Sequence, residues 1–152
     1  MTTPIELPCA AEQLLPHRPP MLLINRLLER QGDTAVAEAV IPREGLFLDP
    51  VKGLLPEYFI EIIAQTLAAT SGYDALLDHS PQNDGFLVGV DNFIWPTQQA
   101  EPGSVRIHIE KTFEFGGVTI IHGQVLAGEH LLAQGDIKVW ENKPQEKSTN
   151  DR

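Results

Sequence analysis

The stretch EYFIEIIAQTLAATSGY, residues 57–73, is the most apolar segment with helical spacing and decides how the chain folds. Pro56, just before it, suits a first helical turn, where a missing N–H costs nothing. Glu57 suits the positive end of the helix dipole. Apolar side chains then cover most of the circumference, which is typical of an enclosed helix. We predict a helix from Pro56 to about Gly72, or to Asp78 if the segment YDALLD continues it.

The polar residues of this helix form one thin stripe, because Glu57, Glu61 and Gln65 follow one another at four-residue spacing. Glu61 lies between Ile60 and Ile62, where an unpaired carboxylate is costly for the fold. An apolar surrounding favours the neutral carboxylic acid, which is the form that an acid catalyst needs. From the residues alone two interpretations stay open: a catalytic acid, or a structural glutamate bonded to Gln65 or to a group across a dimer interface.

The composition of the 152 residues indicates one globular domain that does not bind nucleic acid. A chain of this length buries enough surface to fold without staples, and its net charge of −10 disfavours phosphate backbones as ligands. No apolar run approaches the roughly 20 residues of a membrane span. The first residues lack the pattern of a signal peptide, and the single Cys9 excludes an internal disulfide. We therefore expect a cytoplasmic protein without a membrane span.

Strand patterns flank the helix on both sides. Two predicted strands, 21–30 and 33–42, precede it. After the helix we predict four strands joined as a meander, which cover residues 86–95, 104–115, 118–128 and 131–140. The remaining predictions are a short helix at 10–15, a loop at 43–55, a hairpin turn at 116–117, and a disordered polar tail at 142–152. The single domain then spans residues 1–141.

An antiparallel sheet must cover its apolar face, and this chain has one helix long enough to do so. The strand at 104–115 fits such a sheet, because Val105, Ile107 and Ile109 alternate with polar residues. The simplest packing of these elements is an α+β hotdog fold, in which an antiparallel sheet of about six strands wraps around one long central helix.

Three stretches resemble the (3R)-hydroxyacyl-acyl-carrier-protein dehydratases of fatty-acid synthesis, a family of hotdog proteins. LLPHRPPMLLINRLLE at 14–29 resembles the opening motif of that family, and FIEIIAQTLAA at 59–69 resembles its helix motif. FLVGVDNFIWPTQQAEPGSVRIHIE at 86–110 resembles its Phe-Leu-x-Gly-x-Asp strand and the Pro-Gly turn that follows. The resemblance covers most of residues 14–140 in unchanged order.

The resemblance implies that Glu61 protonates the departing hydroxyl, but the base of the family is missing. In that family a histidine in a Gly-His-Phe-Pro-Gly loop removes the proton next to the thioester. Counted back from Glu61 without gaps, the histidine position is Phe47, and residues 43–56 contain no histidine. The chain resembles a divergent subgroup without the loop histidine, some of whose members belong to aryl polyene and related polyketide-like pathways.

The start of the helix also departs from the family, which uses a glycine N–H there to bind the thioester oxygen. The ungapped match to that glycine is Pro56, which has no N–H. A shift of one residue would leave Glu57 as the donor. Both registers stay open at this point.

Two further residues are candidates for the site. His17 lies in the matched opening motif and is interpreted mainly as an anchor of the N-terminal turn, with a replacement base as the alternative. Gln65, one turn after Glu61, is a candidate for orienting its carboxylate. No two histidines have metal-ligand spacing, so no metal is predicted, and the implied reaction needs no cofactor. The other histidines are expected to be solvated: His79, His108, His122 and His130.

Dehydratases of this family place each active site across a dimer interface, with the histidine from one subunit and the glutamate from the other. The resemblance therefore implies a homodimer, or a heterodimer with a dehydratase-like hotdog protein, that acts on an acyl carrier protein bearing a 3-hydroxyacyl chain. In the heterodimer a histidine-bearing partner would complete the Glu61 site. Two alternatives stay open: a non-catalytic subunit that binds an acyl chain or stabilises a partner, and a hotdog acyl thioesterase whose helix carboxylate activates water.

Overall fold

The computed structural model describes residues 5–82, 84–95 and 101–142 and places them in a seven-stranded antiparallel sheet, one long helix and a small hairpin. The elements in chain order are β1 Cys9–Ala10, the 3-10 helix Ala11–Gln13, β2 Ile24–Gln31, β3 Thr34–Ile41, β4 Leu48–Asp49, β5 Gly53–Leu54, α1 Glu57–Leu77, β6 Asp84–Ile94, β7 Gly103–Phe115, β8 Val118–Ala127 and β9 His130–Asn142.

Helix α1 lies against the inner face of the sheet and forms the centre of the core. It contacts five strands of the sheet: β2, β3, β7, β8 and β9. Ile62 and Ile63 are completely buried, and Tyr58 and Phe59 are nearly so. The predicted enclosed helix and the α+β hotdog fold are therefore confirmed. Within the described ranges, no helix combines the length and the hydropathy that crossing a membrane requires.

The strands contribute to this core through side chains that alternate between the buried and the exposed face of the sheet. Val105, Ile107 and Ile109 of β7 are buried, and the residues between them are exposed, as their pattern predicts. Gly123 of β8 lets the helix approach closely, since a methyl group there would lie 2.6 Å from Cγ2 of Ile63. The contact between Ile63 and Gly123 thus fixes where the helix rests on the sheet.

The position of β6 differs from the predicted four-strand meander. Strands β7, β8 and β9 do form consecutive hairpins. However, β6 pairs with β9 and β3 pairs with β7, which gives the sheet order β1-β2-β3-β7-β8-β9-β6. In the described part of the chain β6 is therefore an edge strand, and Phe86 and Ile94 are 57% and 62% exposed. Periodicity predicts a strand but not its neighbours, because pairing depends on contacts that are distant in sequence.

Two segments before the helix differ from their predictions. The predicted short helix at 10–15 is reduced to the single 3-10 turn that follows β1. The predicted loop at 43–55 contains the hairpin β4–β5, in which Asp49 Oδ1 accepts the backbone N–H groups of Val51 and Lys52 at 2.8 and 2.7 Å. This turn gives a defined structure to the segment that precedes α1.

The ends of the later elements also shift. Helix α1 continues to Leu77, close to the longer of the two expected ends. Strand β9 includes Asn142, at the predicted start of the polar tail, because Asn142 pairs with Asp84 of β6. The rest of that tail, 143–152, lies outside the described residues.

Candidate functional site

The polar stripe of α1 becomes more buried along the helix. Glu57 is exposed, Glu61 is half-buried, and Gln65 is only 1% exposed. The Gln65 amide donates through Nε2 to Glu61 Oε1 at 2.9 Å, which fixes the orientation of the carboxylate. Glu61 is therefore not enclosed among isoleucines, as its sequence neighbours suggest, but lies at the boundary between the core and open space.

Gln65 also fixes the segment Leu14–Leu23 against the helix. Its Oε1 accepts the backbone N–H of Leu23 at 2.9 Å, and its Nε2 donates to the Met21 carbonyl at 2.7 Å. Both amide hydrogens and the amide oxygen of Gln65 are thus used, which explains how a glutamine can be buried so completely.

A second contact holds the beginning of the same segment. Gly72 packs against the backbone of Leu14, and a methyl group at Gly72 would overlap the Leu14 carbonyl oxygen. Arg18 closes the next turn, since its Nη1 donates to the carbonyls of Leu15 and His17 at 2.9 and 2.7 Å. Held at both ends, the segment places His17 beside helix α1.

A cavity of about 680 Å³ opens beside Glu61. Its walls come from α1, from the turn containing Pro16 and His17, and from the first residues of β6 with the end of β9. Apolar side chains, including Ala64, Ala68 and Leu87, form much of the surface. The volume lies within the range of small-molecule sites, about 300–1,000 Å³. The β6 residues in this wall belong to an edge strand of the described sheet.

His17 shares the cavity with Glu61. Its ring is half-buried, and Nδ1 is enclosed by protein without a hydrogen-bond partner among the described residues. The backbone carbonyl of His17, rather than the ring, accepts the hydrogen bond from Arg18. Within the described residues, the backbone of His17 and the Arg18 side chain therefore hold this turn, and Nδ1 of the imidazole takes no part in it.

The loop position that corresponds to the family histidine is filled by a packed ring. Phe47 is half-buried and contacts Tyr58 edge-to-face, with 5.9 Å between ring centroids. Tyr58 is 1% exposed, and burial raises the pKa of its phenol, so neither ring takes up a proton near neutral pH. Neither Phe47 nor Tyr58 lines the Glu61 cavity.

At the start of α1, backbone hydrogen bonds leave one N–H group without an acceptor among the described residues. Pro56 is the cap residue and Glu57 is the first helical residue. The next two N–H groups donate to carbonyls that precede the helix, at 3.1 and 3.0 Å. In the described ranges the N–H of Glu57 has no acceptor, so that Glu57 holds the free donor. Glu57 does not line the Glu61 cavity either.

A smaller cavity of about 220 Å³ lies toward the other end of the helix. Arg30 donates there to both carboxylate oxygens of Asp74 at 3.1 and 2.9 Å, and this hydrogen bonding raises the pKa of the guanidinium. Lys111 is paired with Glu114 at 2.9 Å. The two cations of this cavity are thus already neutralised, and we place the candidate site at Glu61.

One of the four histidines expected to be solvated is not. His122 of β8 is half-buried, and its Nδ1 lies 2.8 Å from Oδ1 of Asp136, its neighbour on β9. The other three, His79, His108 and His130, are exposed as expected. Cross-strand register, which the sequence did not reveal, creates the pair of His122 with Asp136.

The single long helix packed against an antiparallel sheet, with a carboxylate on that helix, is the arrangement of a hotdog protein. The family model described as ApeP-like, ApeP dehydratase, matches residues 9–150. The chain therefore belongs to this family of hotdog proteins related to 3-hydroxyacyl-acyl-carrier-protein dehydratases.

Relatives and solved structures agree with this placement. The chain is 33% identical over 135 residues to the 3-hydroxyacyl-[acyl-carrier-protein] dehydratase FabZ of Natranaerobius thermophilus, covering 83% of this chain and 90% of that protein. It is 32% identical to FabZ of Streptococcus pneumoniae serotype 4, covering 83% and 91%. The fold matches the dehydratase heterocomplex ApeI:P from Xenorhabdus doucetiae with a TM-score of 0.77 and 20% identity, over 91% of this chain and 93% of that one.

Proposed function

We propose that this chain is the acid-bearing subunit of a two-chain dehydratase, which eliminates water from 3-hydroxyacyl thioesters on an acyl carrier protein. Glu61 gives a proton to the departing C3 hydroxyl, and a histidine of a second hotdog chain takes a proton from C2. The products are water and the trans-2-enoyl thioester, and no cofactor is needed. The observation that carries the proposal is the position of Glu61, which Gln65 holds at the wall of a cavity that ends at an exposed sheet edge.

The acid half of the site is supported by geometry and by family. One carboxylate oxygen of Glu61 is bound by Gln65, and the side chain lines the cavity that would hold the acyl chain. A positioned carboxylic acid is an ordinary proton donor in such eliminations. The FabZ relatives carry the name of this reaction, which supports the same chemistry for the family member described here.

The base half is absent from the described loop of this chain. Phe47 occupies the histidine position and packs on Tyr58, away from the Glu61 cavity. The free N–H of Glu57 at the helix start also lies outside that cavity. We therefore assign the base, and the donor that holds the thioester oxygen at the Glu61 site, to the second chain.

The edge strand β6 supports a dimer that closes this cavity. Its backbone edge opposite β9 has no strand partner among the described residues, and Phe86, Val88 and Ile94 are 57%, 56% and 62% exposed. A long apolar edge of this kind is a template for pairing with another chain. The first residues of β6 also line the Glu61 cavity, so that a chain paired there reaches the site. The ApeI:P dehydratase, whose fold this chain shares, is a heterocomplex, which favours a mixed dimer over a homodimer without loop histidines.

The test is dehydration of a 3-hydroxyacyl-acyl carrier protein, followed by mass spectrometry of the carrier-bound product. This chain is assayed alone and together with a hotdog dehydratase that retains the Gly-His-Phe-Pro-Gly loop. We expect turnover by the mixed complex and none by this chain alone. Glu61→Gln should lower turnover of the complex by about 10²–10⁴-fold, because it removes the proton donor but keeps the shape.

Glu57→Gln is the matched control, since it makes the same change one turn earlier on an exposed position. It should leave turnover unchanged. Full activity of the Glu61→Gln complex would show that the acid lies elsewhere. Release of free thiol from acyl thioesters by this chain alone would favour a thioesterase instead.

A further inference from the structure

We infer that His17 contacts the substrate in the Glu61 site and donates a hydrogen bond from Nε2–H to the C3 oxygen of the bound acyl chain. The inference rests on the proposed function, because it requires a 3-hydroxyacyl group in the cavity. It adds a second group of this chain to a site in which Glu61 supplies the proton.

The turn that carries His17 is held in position without the help of its ring. The turn that carries it is held by backbone contacts of Leu14, Met21 and Leu23 with the helix and by the Arg18 guanidinium. Among the described residues, Nδ1 of the imidazole has no hydrogen-bond partner. A half-buried imidazole held in place but unpaired is available for a ligand.

The surroundings of Nδ1 decide the tautomer of the neutral ring. Nδ1 is enclosed by protein and has no partner among the described residues, so a hydrogen placed on Nδ1 would be a buried donor without an acceptor. The neutral ring therefore carries its hydrogen on Nε2. An enclosed Nδ1 is also out of reach of a substrate proton, which argues against the alternative that His17 replaces the missing base.

His17 shares with Glu61 the cavity in which the C3 hydroxyl would leave. A departing hydroxyl oxygen has two lone pairs, of which one receives the proton from Glu61. The second lone pair can accept a hydrogen bond, and an Nε2–H group can donate it without giving up its hydrogen. Gln82, which also lines the cavity, donates one amide hydrogen to the Ala68 carbonyl at 3.3 Å. The ring of His17 thus fits a hydroxyl-bearing ligand better than a plain acyl chain.

The experiment compares two probes on the mixed complex by calorimetry: the pantetheine amides of 3-hydroxyoctanoic acid and of octanoic acid. They differ only in the C3 hydroxyl. We expect His17→Ala to weaken the hydroxylated probe by about five- to tenfold, which is the usual effect of one neutral hydrogen bond. The octanoyl probe should bind the variant as well as it binds the unaltered complex.

Two matched variants separate contact from fold. The amide nitrogen of His17→Gln falls near the position of Nε2, so this variant should retain the preference for the hydroxylated probe. The amide of His17→Asn falls near Nδ1, so this variant should behave like His17→Ala. Nitrogen-15 NMR of ring-labelled histidine in the unaltered protein should show the Nε2–H tautomer and a shift of Nε2 when the hydroxylated probe is added.

The outcomes distinguish the two proposals. Equal weakening of both probes by His17→Ala, or an Nδ1–H tautomer, overturns the role of His17 and leaves the proposed function standing. If the unaltered complex binds neither probe, the proposed function itself fails, and the role of His17 fails with it.

Discussion

Two segments, the loop 43–55 and Leu14–Leu23, pack near helix α1. The first is held mainly by its own turn and by apolar packing, and the second mainly by polar and backbone contacts. The loop 43–55 is held by its own turn at Asp49 and by apolar packing of Phe47 on Tyr58. The segment Leu14–Leu23 is held by the polar side chain of Gln65 and by close backbone contact at Gly72. Of these two segments, only the second lines the Glu61 cavity, through Pro16 and His17.

The difference shows which part of this chain provides polar side chains to the cavity. The loop 43–55 is a packed support, whereas Glu61 of the helix stripe and His17 of the N-terminal segment line the cavity. Changes in the segment should therefore disturb both stability and the site. Changes in the loop should disturb stability alone. Substitutions in the two regions test that separation, from the largest expected effect to the smallest.

Gly72→Ala should destabilise the chain by about 3 kcal/mol, because the added methyl group overlaps the Leu14 carbonyl and pushes the segment off the helix. Urea unfolding measures the loss, and dehydration by the mixed complex should fall as well. Gly89→Ala is the control, since its methyl group makes only an ordinary contact, 3.5 Å from Cβ of Lys138. Unchanged stability of Gly72→Ala would mean that the segment does not rest on the helix at this point.

Gln65→Leu should cost about 2 kcal/mol, because it leaves the partly buried N–H of Leu23 and the carbonyl of Met21 without their partner in the helix. Turnover should also fall, since Glu61 loses the amide that orients it. Gln124→Leu makes the same change where a single hydrogen bond of 3.3 Å, to Gln134, is lost, and it should be nearly neutral. A stable but inactive Gln65→Leu protein would show that Gln65 serves the site and not the fold.

Phe47→Ala should destabilise the chain by about 1 kcal/mol, because a half-buried ring loses its contact with Tyr58. Turnover of the mixed complex should not change at temperatures where the variant is folded. Leu46→Ala, at a neighbouring position that is 62% exposed, is the control for stability. A folded Phe47→Ala protein without activity would place Phe47 in contact with the substrate and break the comparison.

Asp49→Asn should have the smallest effect and should depend on pH. Backbone N–H groups of Lys52 and Val51 hold the pKa of Asp49 below its ordinary value of 3.8. Because the pKa of Asp49 is lower in the folded state than in the unfolded state, the ionised carboxylate stabilises the folded protein at any pH above the unfolded-state pKa. This stabilisation is lost as the pH falls through the folded-state pKa. The small difference in urea midpoint between the two proteins should thus be present at about pH 6 and shrink toward pH 3. A difference that grows on acidification would contradict this sign.

Much of the fold follows from local patterns in the sequence. The enclosed helix, the alternation of Val105, Ile107 and Ile109, and the hairpin at 116–117 all agree with the structure. The stripe of Glu57, Glu61 and Gln65 was also correct, because four-residue spacing places side chains on one helix face. The expected burial of Glu61 was wrong, since Glu61 is half-buried and Gln65 is the enclosed residue of the stripe.

Three features needed the tertiary structure. Strand β6 lies beside β9 rather than β7, His122 meets Asp136 across two strands, and His17 reaches the cavity of Glu61. Each of them joins residues that are distant in sequence, so no local period records them.

The sequence by itself determined that one apolar helix must be covered by a sheet, that Glu61 lies on its polar stripe, and that Phe47 stands where a base is expected. Only the tertiary structure decided that Gln65 holds both Glu61 and the N-terminal segment, and that an edge strand without a partner among the described residues borders the same cavity. The physical reason is that helix and strand periods depend on neighbouring residues, whereas a cavity and its hydrogen bonds depend on how distant segments pack.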